Sequence, residues 1–377
     1  MVDGAVWQDT ADAPDRAELD PGVPDGIDRR PDVLVVGGGV VGLATAALCN
    51  RAGLGRVVVL ERDHLAARAS GGAAAALTPE PHRWTDPPAF VDLGRASLAL
   101  YRQLDAEWHG ALGLRPLEWL IVLPAAAMAR PLKPPHGIEL LDSDAARAAE
   151  PELAEVPGAL LIHDQSHVHP LRLAAAFAAR AGTVATGVEM LDFETASGRV
   201  TRVRTSRGSF EPGVVVLAAG LAPIPDLRAL QRWVKGHMAA VGPVPFRLRV
   251  ALASEAGLVI QLPDGHVIAG GTLDEGDHSP APDPTVVDGI GRALVELLPA
   301  LAGTPLSHGW CCFRPATADD QPVIDRVPGL DNAWVTAGHY RTGILMAAAT
   351  GDAIAHWIAT TERPDHVEPF TLARFAT

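Results

Sequence analysis

An α/β architecture, with a buried parallel sheet in one part of the chain and an antiparallel sheet in another, is what this sequence predicts, on three observations. Residues 32–62, DVLVVGGGVVGLATAALCNRAGLGRVVVLER, read as strand, glycine turn, helix, strand and acid. The runs at 33–36 and 57–60 are short and wholly apolar, the pattern of strands covered on both faces of a parallel sheet. A third such run, 214–218, closes on Ala218, Ala219 and Gly220. From 234 to 273 the pattern changes to alternating segments with a Pro263-Asp264-Gly265 turn, as in an antiparallel sheet.

The first unit carries chemistry. Gly37 permits a tight turn, Gly39 lets the backbone approach a pyrophosphate, and Gly42 lets the following helix pack close to the strand. The N-terminal N–H groups of that helix then face the phosphates. Glu61 stands about 20 residues beyond the last glycine, where a carboxylate accepts hydrogen bonds from both ribose hydroxyls and repels a 2′-phosphate. G-x-G-x-x-G alone arises by chance in Ala- and Gly-rich chains. With a strand before it, a helix after it and the acid in place, a dinucleotide site is the expectation; a turn that binds nothing would leave Glu61 unexplained.

The remaining elements follow in order. Small residues at Ala69, Ser70, Gly71 and Gly72 break a helix-like segment, either as a flexible loop or as backbone lying against a ligand. Residues 87–112 carry apolar positions at helical spacing and predict a core-facing amphipathic helix pair. A strand is expected at 119–123, a short helix at 142–150 stopped by Pro151, and a helix at 170–181. β-like segments follow at 184–191, 200–205 and 214–218, and a helix at 290–301. Near the C-terminus a strand at 334–337 and a turn at 338–343 lead into a helix at 344–358, whose N-terminus points back to the turn and favours negative charge there.

Bulk properties exclude several classes. The 377 residues are 48% hydrophobic and 20% charged, enough for two domains with a large core. A formal net charge of −14 argues against nucleic acid and anionic membranes as partners. Cys49, Cys311 and Cys312 form no disulfide framework, and no zinc pattern is present, so a reducing cytoplasm is expected and no metal. Residues 1–30 lack a signal-peptide pattern and read as a disordered acidic tail; no apolar run is long enough to span a bilayer.

At this point the motifs resemble those of the amine and amino-acid oxidases of the D-amino-acid oxidase type, most closely the glycine oxidase branch associated with thiamine thiazole biosynthesis. The resemblance rests on the glycine unit with Glu61, Ala69-Ser70-Gly71-Gly72, Ala218-Ala219-Gly220, Gly270-Gly271-Thr272, Phe313-Arg314-Pro315 and the segment Gly338-His339-Tyr340-Arg341-Thr342-Gly343-Ile344-Leu345. It implies FAD as cofactor, a Rossmann-type FAD-binding domain with a parallel sheet (31–86, 155–235 and 313–365), and an α+β substrate domain with a large antiparallel sheet (87–154 and 236–312). It further implies that Gly37, Gly39, Val40, Val41, Gly42, Glu61, Arg62, Ser70, Gly71, Val188, Ala219, Gly220, Arg341, Thr342, Gly343 and Ile344 hold the cofactor. The partners it implies are a small amine or amino-acid substrate and O2, and a homo-oligomer is left open.

The activity implied is oxidative deamination of a small amino acid or N-substituted glycine: hydride leaves the α-carbon for flavin N5, the imine hydrolyses, and O2 becomes H2O2. A dehydrogenase passing electrons to a carrier and a non-catalytic flavoprotein subunit are the alternatives. An arginine fork suits a substrate carboxylate, which makes Arg314 the first candidate and Arg341 the second. Two departures bear on substrate. Where glycine oxidases carry a carboxylate-binding tyrosine, an ungapped count from Gly270 gives Leu258, and Thr342 replaces the usual asparagine. Both favour a larger or N-alkylated amino acid over glycine. Similarity to monomeric sarcosine oxidases also sets Cys312 on the cysteine those enzymes join to the flavin, with a thiol pKa expected to be lowered by Arg314; glycine oxidases usually carry glycine there, so a plain buried cysteine is the other reading.

Overall fold

A computed structural model describes residues 4–129, 133–221, 230–255 and 257–375. Its first sheet has six strands in the order Val323–Arg326, Ala333–Ala337, Val214–Gly220, Val33–Val36, Val57–Leu60, Thr183–Ala185. All neighbours are parallel except the Val323–Arg326 edge. Alternation explains why the central runs are wholly apolar. Val33 and Val35 face a core shared with the helices Val40–Arg51 and Gly343–Thr360. Leu34 and Val36 face a second core closed by Val200, Val203 and Phe210 of a three-stranded sheet.

The second sheet has ten strands and is antiparallel apart from the pairing of Ala251–Ser254 with Arg115–Leu123. The helix Pro284–Leu297 covers its back through Val287, Ile290 and Leu294. The other face looks toward the ends of the parallel strands. Gly158–His167 stands in this second sheet, although the sequence division sets 155–235 with the cofactor domain. The same strand reaches the cofactor side through its pairing with Ala76–Leu77.

Four expectations need correction, the first being the β-like segment at 184–191, which divides between Thr183–Ala185 and Met190–Ala196. The helix pair at 87–112 is one helix, Pro88–Glu107, because its apolar stripe is continuous along Phe90, Leu93, Leu98, Tyr101 and Leu104. The helix expected to start at 290 begins at Pro284, where Asp283 accepts from the Thr285 N–H as its cap. The acidic tail is ordered from Gly4 onward. Ala5, Val6, Trp7 and Leu19 are buried, the Trp7 ring packs on His167 and His169, and His169 Nε2 lies 2.9 Å from Thr10 Oγ1. A single tryptophan provides the anchoring burial that periodicity could not signal.

Candidate functional site

The glycine turn behaves as its spacing requires. Gly37 has φ +121°, and a Cβ there would run into the Ala218 carbonyl. A Cβ on Gly42 would collide with the Gly37 carbonyl, so the helix rests directly on the turn. Gly39 opens the other way, and a Cβ there would meet Ser70 Oγ alone, at 3.4 Å. Ser70 Oγ accepts from the Val40 N–H at 3.1 Å, so the Ala-Gly segment is a built part of the helix end. Gly71 is required by its turn, where a Cβ would strike the Ala66 carbonyl, and does not line the cavity.

Glu61 closes this end. Its Oε2 accepts from the Gly38 N–H at 2.6 Å and its Oε1 from the Asp63 N–H at 2.8 Å, which leaves lone pairs on both oxygens. Burial raises its carboxyl pKa, and the two backbone donors pull the other way. Val188 is fixed by its N–H to the Glu61 carbonyl at 2.8 Å. Arg62 reaches the rim half-exposed, beside Asp63 at 3.5 Å and Glu189 at 4.0 Å.

A cavity of about 1720 Å³ runs from this turn to the face of the large sheet. Small-ligand sites are roughly 300–1,000 Å³, so there is room for a long cofactor and a second molecule. Gly37, Gly39, Val40, Val41, Glu61, Arg62, Ser70, Val188, Ala219, Gly220, Arg341, Thr342, Gly343 and Ile344 all line it; Gly42 and Gly71 support it from behind. The glycine cradle, the buried acid with spare acceptors and two helix N-termini fit a dinucleotide.

At the far end the floor is one face of the second sheet. Register sets Arg314 opposite Val234 and Cys312 opposite Gly236, with Met238, Gly270, Leu258, Ala253 and Ile121 continuing across adjacent strands. Arg314 is the one charged member of this row. Its guanidinium lies over Gly236, where a Cβ would overlap it, and Nη1 donates to the Thr272 carbonyl at 2.8 Å. No carboxylate pairs with it among the described residues, despite the chain's net charge of −14. Leu258 lines the cavity from the strand Gly257–Gln261, opposite Gly270.

Arg341 is placed differently. Its Nη2 lies 3.4 Å from Asp86, whose carboxylate also meets His82 Nδ1 at 3.0 Å and Thr85 Oγ1 at 2.7 Å. Burial would raise the Asp86 pKa, but the His82 and Thr85 hydrogen bonds with the His82 and Arg341 charges bring it to about 2. The charge of Arg341 is therefore already partnered. Cys312 also departs from expectation: burial raises its thiol pKa, and the opposing effect of Arg314 does not reverse this. Cys311 alternates to the other side of its strand, its Sγ 3.4 Å from the Pro280 carbonyl, and both residues border the cavity's edge. The turn after Ala337 brings Tyr340 beside Pro315, whose carbonyl accepts from the Tyr340 N–H at 2.7 Å. Burial raises the Tyr340 phenol pKa, keeping it a donor at neutral pH.

Trp119 and Ile121, supplied by a strand from the other half of the chain, were not candidates in the sequence. Nor was the group His237, Thr272 and Asp274 behind the floor. The Gly-Gly-Thr segment hinted at it, as did His237, which lies in a stretch shared with the family.

A dinucleotide cradle joined to a second chamber, one of whose arginines, Arg314, has no carboxylate partner among the described residues, fits a cofactor-dependent enzyme acting on a small molecule. The chain belongs to the DAO family of FAD-dependent oxidoreductases, whose profile matches residues 32–357, and it is an FAD-dependent flavoprotein. It is similar to glycine oxidase of Pseudomonas putida, at 30% identity over 84% of this chain and 92% of the relative. Glycine oxidase of Pseudomonas aeruginosa is 32% identical over 84% of this chain and 92% of its own length. The crystal structure of glycine oxidase from Geobacillus kaustophilus superposes with a TM-score of 0.80 at 26% identity, covering 92% of this chain and 99% of that one. Among the described residues no helix is long and apolar enough to cross a membrane.

Proposed function

We propose that this protein oxidatively deaminates a small amino acid or N-substituted glycine, with O2 as electron acceptor and H2O2 as product. The observation that carries the reading is Arg314, a half-buried guanidinium facing the cavity without a carboxylate partner among the described residues. With Nη1 held by the Thr272 carbonyl, the fork cannot rotate freely, and its remaining N–H groups are free to pair bidentately with a substrate carboxylate.

Bound FAD supplies the two-electron acceptor for the α-carbon. The residues of the chain orient and enclose. Gly37, Gly39, Val40 and Ser70 would hold the pyrophosphate end, and Glu61 the ribose. The N-terminus of Gly343–Thr360 faces the cavity through Thr342, Gly343 and Ile344, where its N–H groups would favour negative charge on the bound cofactor. Met238, Leu258, Ala253 and Ile121 would present an apolar surface to the reacting carbon. That apolar row supports a substrate with an alkyl group on carbon or nitrogen over glycine itself. Arg341, neutralised by Asp86, fits a structural role at the cavity wall better than carboxylate binding.

Anaerobic mixing of the yellow protein with a panel of amino acids and N-alkylglycines tests the reading. Bleaching of the flavin by one class identifies the substrate, and peroxide release on readmitting air separates an oxidase from a dehydrogenase. No bleaching by any α-amino acid would reject the proposal. Arg314→Lys keeps the charge but loses the fork, so KM should rise at least about tenfold with FAD retained.

A further inference from the structure

The back of the large sheet carries a polar network that meets the cavity at the Thr272 carbonyl and along the loop it holds, through His278 and Ala281. His237 and Lys235 lie on Gln231–Val241 facing away from the cavity, both fully buried. The His237 N–H donates to Thr272 Oγ1 at 2.9 Å, and its Nδ1 lies 2.8 Å from Asp274 Oδ2. Thr272 Oγ1 donates to the same carboxylate oxygen at 2.5 Å. On the far side of the ring, His237 Nε2 receives the Asp283 N–H at 3.0 Å. A backbone N–H can only donate, so Nε2 carries the lone pair and Nδ1 the proton. The imidazole therefore holds both ends of the loop 274–283 in one tautomer.

The middle of that loop is held by Lys235. Its ammonium meets Asp277 Oδ2 at 2.8 Å, Ser279 Oγ at 2.7 Å and the Ala281 carbonyl at 2.8 Å, one acceptor for each of its three protons. A charge this deeply buried stays only where its hydrogen bonds are complete. None of Thr272, His237 and Asp274 lines the cavity. Thr272 nevertheless delivers its carbonyl to Arg314 Nη1 at 2.8 Å.

We propose that His237, acting through Thr272 and Asp274, is a positioning residue for substrate binding: it fixes the Thr272 carbonyl that sets the rotation of the Arg314 guanidinium. The inference rests on Arg314 being the carboxylate anchor proposed above. A fork offers two parallel hydrogen bonds only in one orientation, so a network that removes its rotational freedom raises affinity for carboxylates specifically. It makes no contact with substrate and takes no part in proton or electron transfer.

The experiment measures the dissociation constant of acetate, read from the flavin absorbance of the FAD-loaded full chain. Thr272→Val removes the hydroxyl with shape kept; acetate binding should weaken by about fivefold or more, while FAD retention and melting temperature stay near the parent's. Thr272→Ser should restore it. His237→Asn keeps a donor near the Nδ1 position and should lose less than His237→Leu. In an Arg314→Lys background, where the fork is already gone, Thr272→Val should add little, since both changes remove one effect.

Additive losses in that double variant, or equal acetate affinity for Thr272→Val and the parent, would overturn the inference. So would loss of FAD in parallel with acetate affinity, which marks a merely structural role. If Arg314→Lys alone leaves acetate binding unchanged, the carboxylate assignment falls first and this inference with it. That result is distinct, because it appears without any change at Thr272.

Discussion

The two ends of the cavity are built on different principles. The cofactor end has a local kernel: strand, turn, helix and acid lie within 32–62, and Gly37 and Gly42 answer to the adjoining strand and to the turn itself. Ser70, Val188, Gly220 and the turn at 341–344 complete it. The substrate end is assembled from strands spread between Arg115–Leu123 and Leu306–Thr317, with each side chain presented by sheet register. A local site depends on backbone clearance, so single added methyl groups should abolish it. A site assembled by register depends on orientation, so its failures should leave the cofactor in place.

The sharpest test is Gly42→Ala. Its Cβ would press into the Gly37 carbonyl, and neither backbone segment can yield without moving the turn. The variant is expected to purify colourless or insoluble; a yellow, soluble product would show that the turn tolerates displacement. Gly236→Ala makes the matching change at the other end. Its methyl overlaps the Arg314 guanidinium, the far end of a flexible side chain, so the arginine swings aside. Substrate KM should rise at least about tenfold with FAD content unchanged, and loss of FAD there would dissolve the contrast between the two ends.

The N-terminal segment joins them. His167 Nε2 lies 2.9 Å from the Ala74 carbonyl beside the cofactor loop, while Trp7 packs on His167 and His169. Trp7→Ala should cost about 3–5 kcal/mol of stability, measurable by denaturant melts. Burial holds the pKa of both imidazoles down to about 4, against 6.5 when free. The unfolded chain thus binds more protons between those values, and stability complete above about pH 6.5 should fall as pH drops toward 4. A melting temperature independent of pH across that window would contradict the burial of these rings.

A purely local effect is expected at Glu61. Glu61→Ala removes charged acceptors from the ribose and should weaken FAD binding by about 1.5–3 kcal/mol, while KM at saturating FAD stays the same. A titration of apoprotein with FAD measures it. An unchanged affinity would separate Glu61 from the ribose and leave it as a clamp on the Gly38 and Asp63 N–H groups alone.

The sequence by itself determined the strand, glycine turn, helix and acid at 32–62 and the two kinds of sheet, while Arg314 came from the family resemblance and is the proposed anchor. Glycine spacing and apolar runs report backbone geometry over short distances, where steric rules decide. Tertiary structure alone decided the rest. It partnered Arg341 with Asp86, which lies 255 residues earlier in the chain. It left Arg314 unpaired by a carboxylate among the described residues, and buried Cys312 deeply enough to raise its pKa. It turned an acidic segment into an anchored one through Trp7, and it set His237 behind the floor to grip Thr272. Charge pairing and burial depend on which distant residues share a surface, and one chain's residue order carries no direct trace of that.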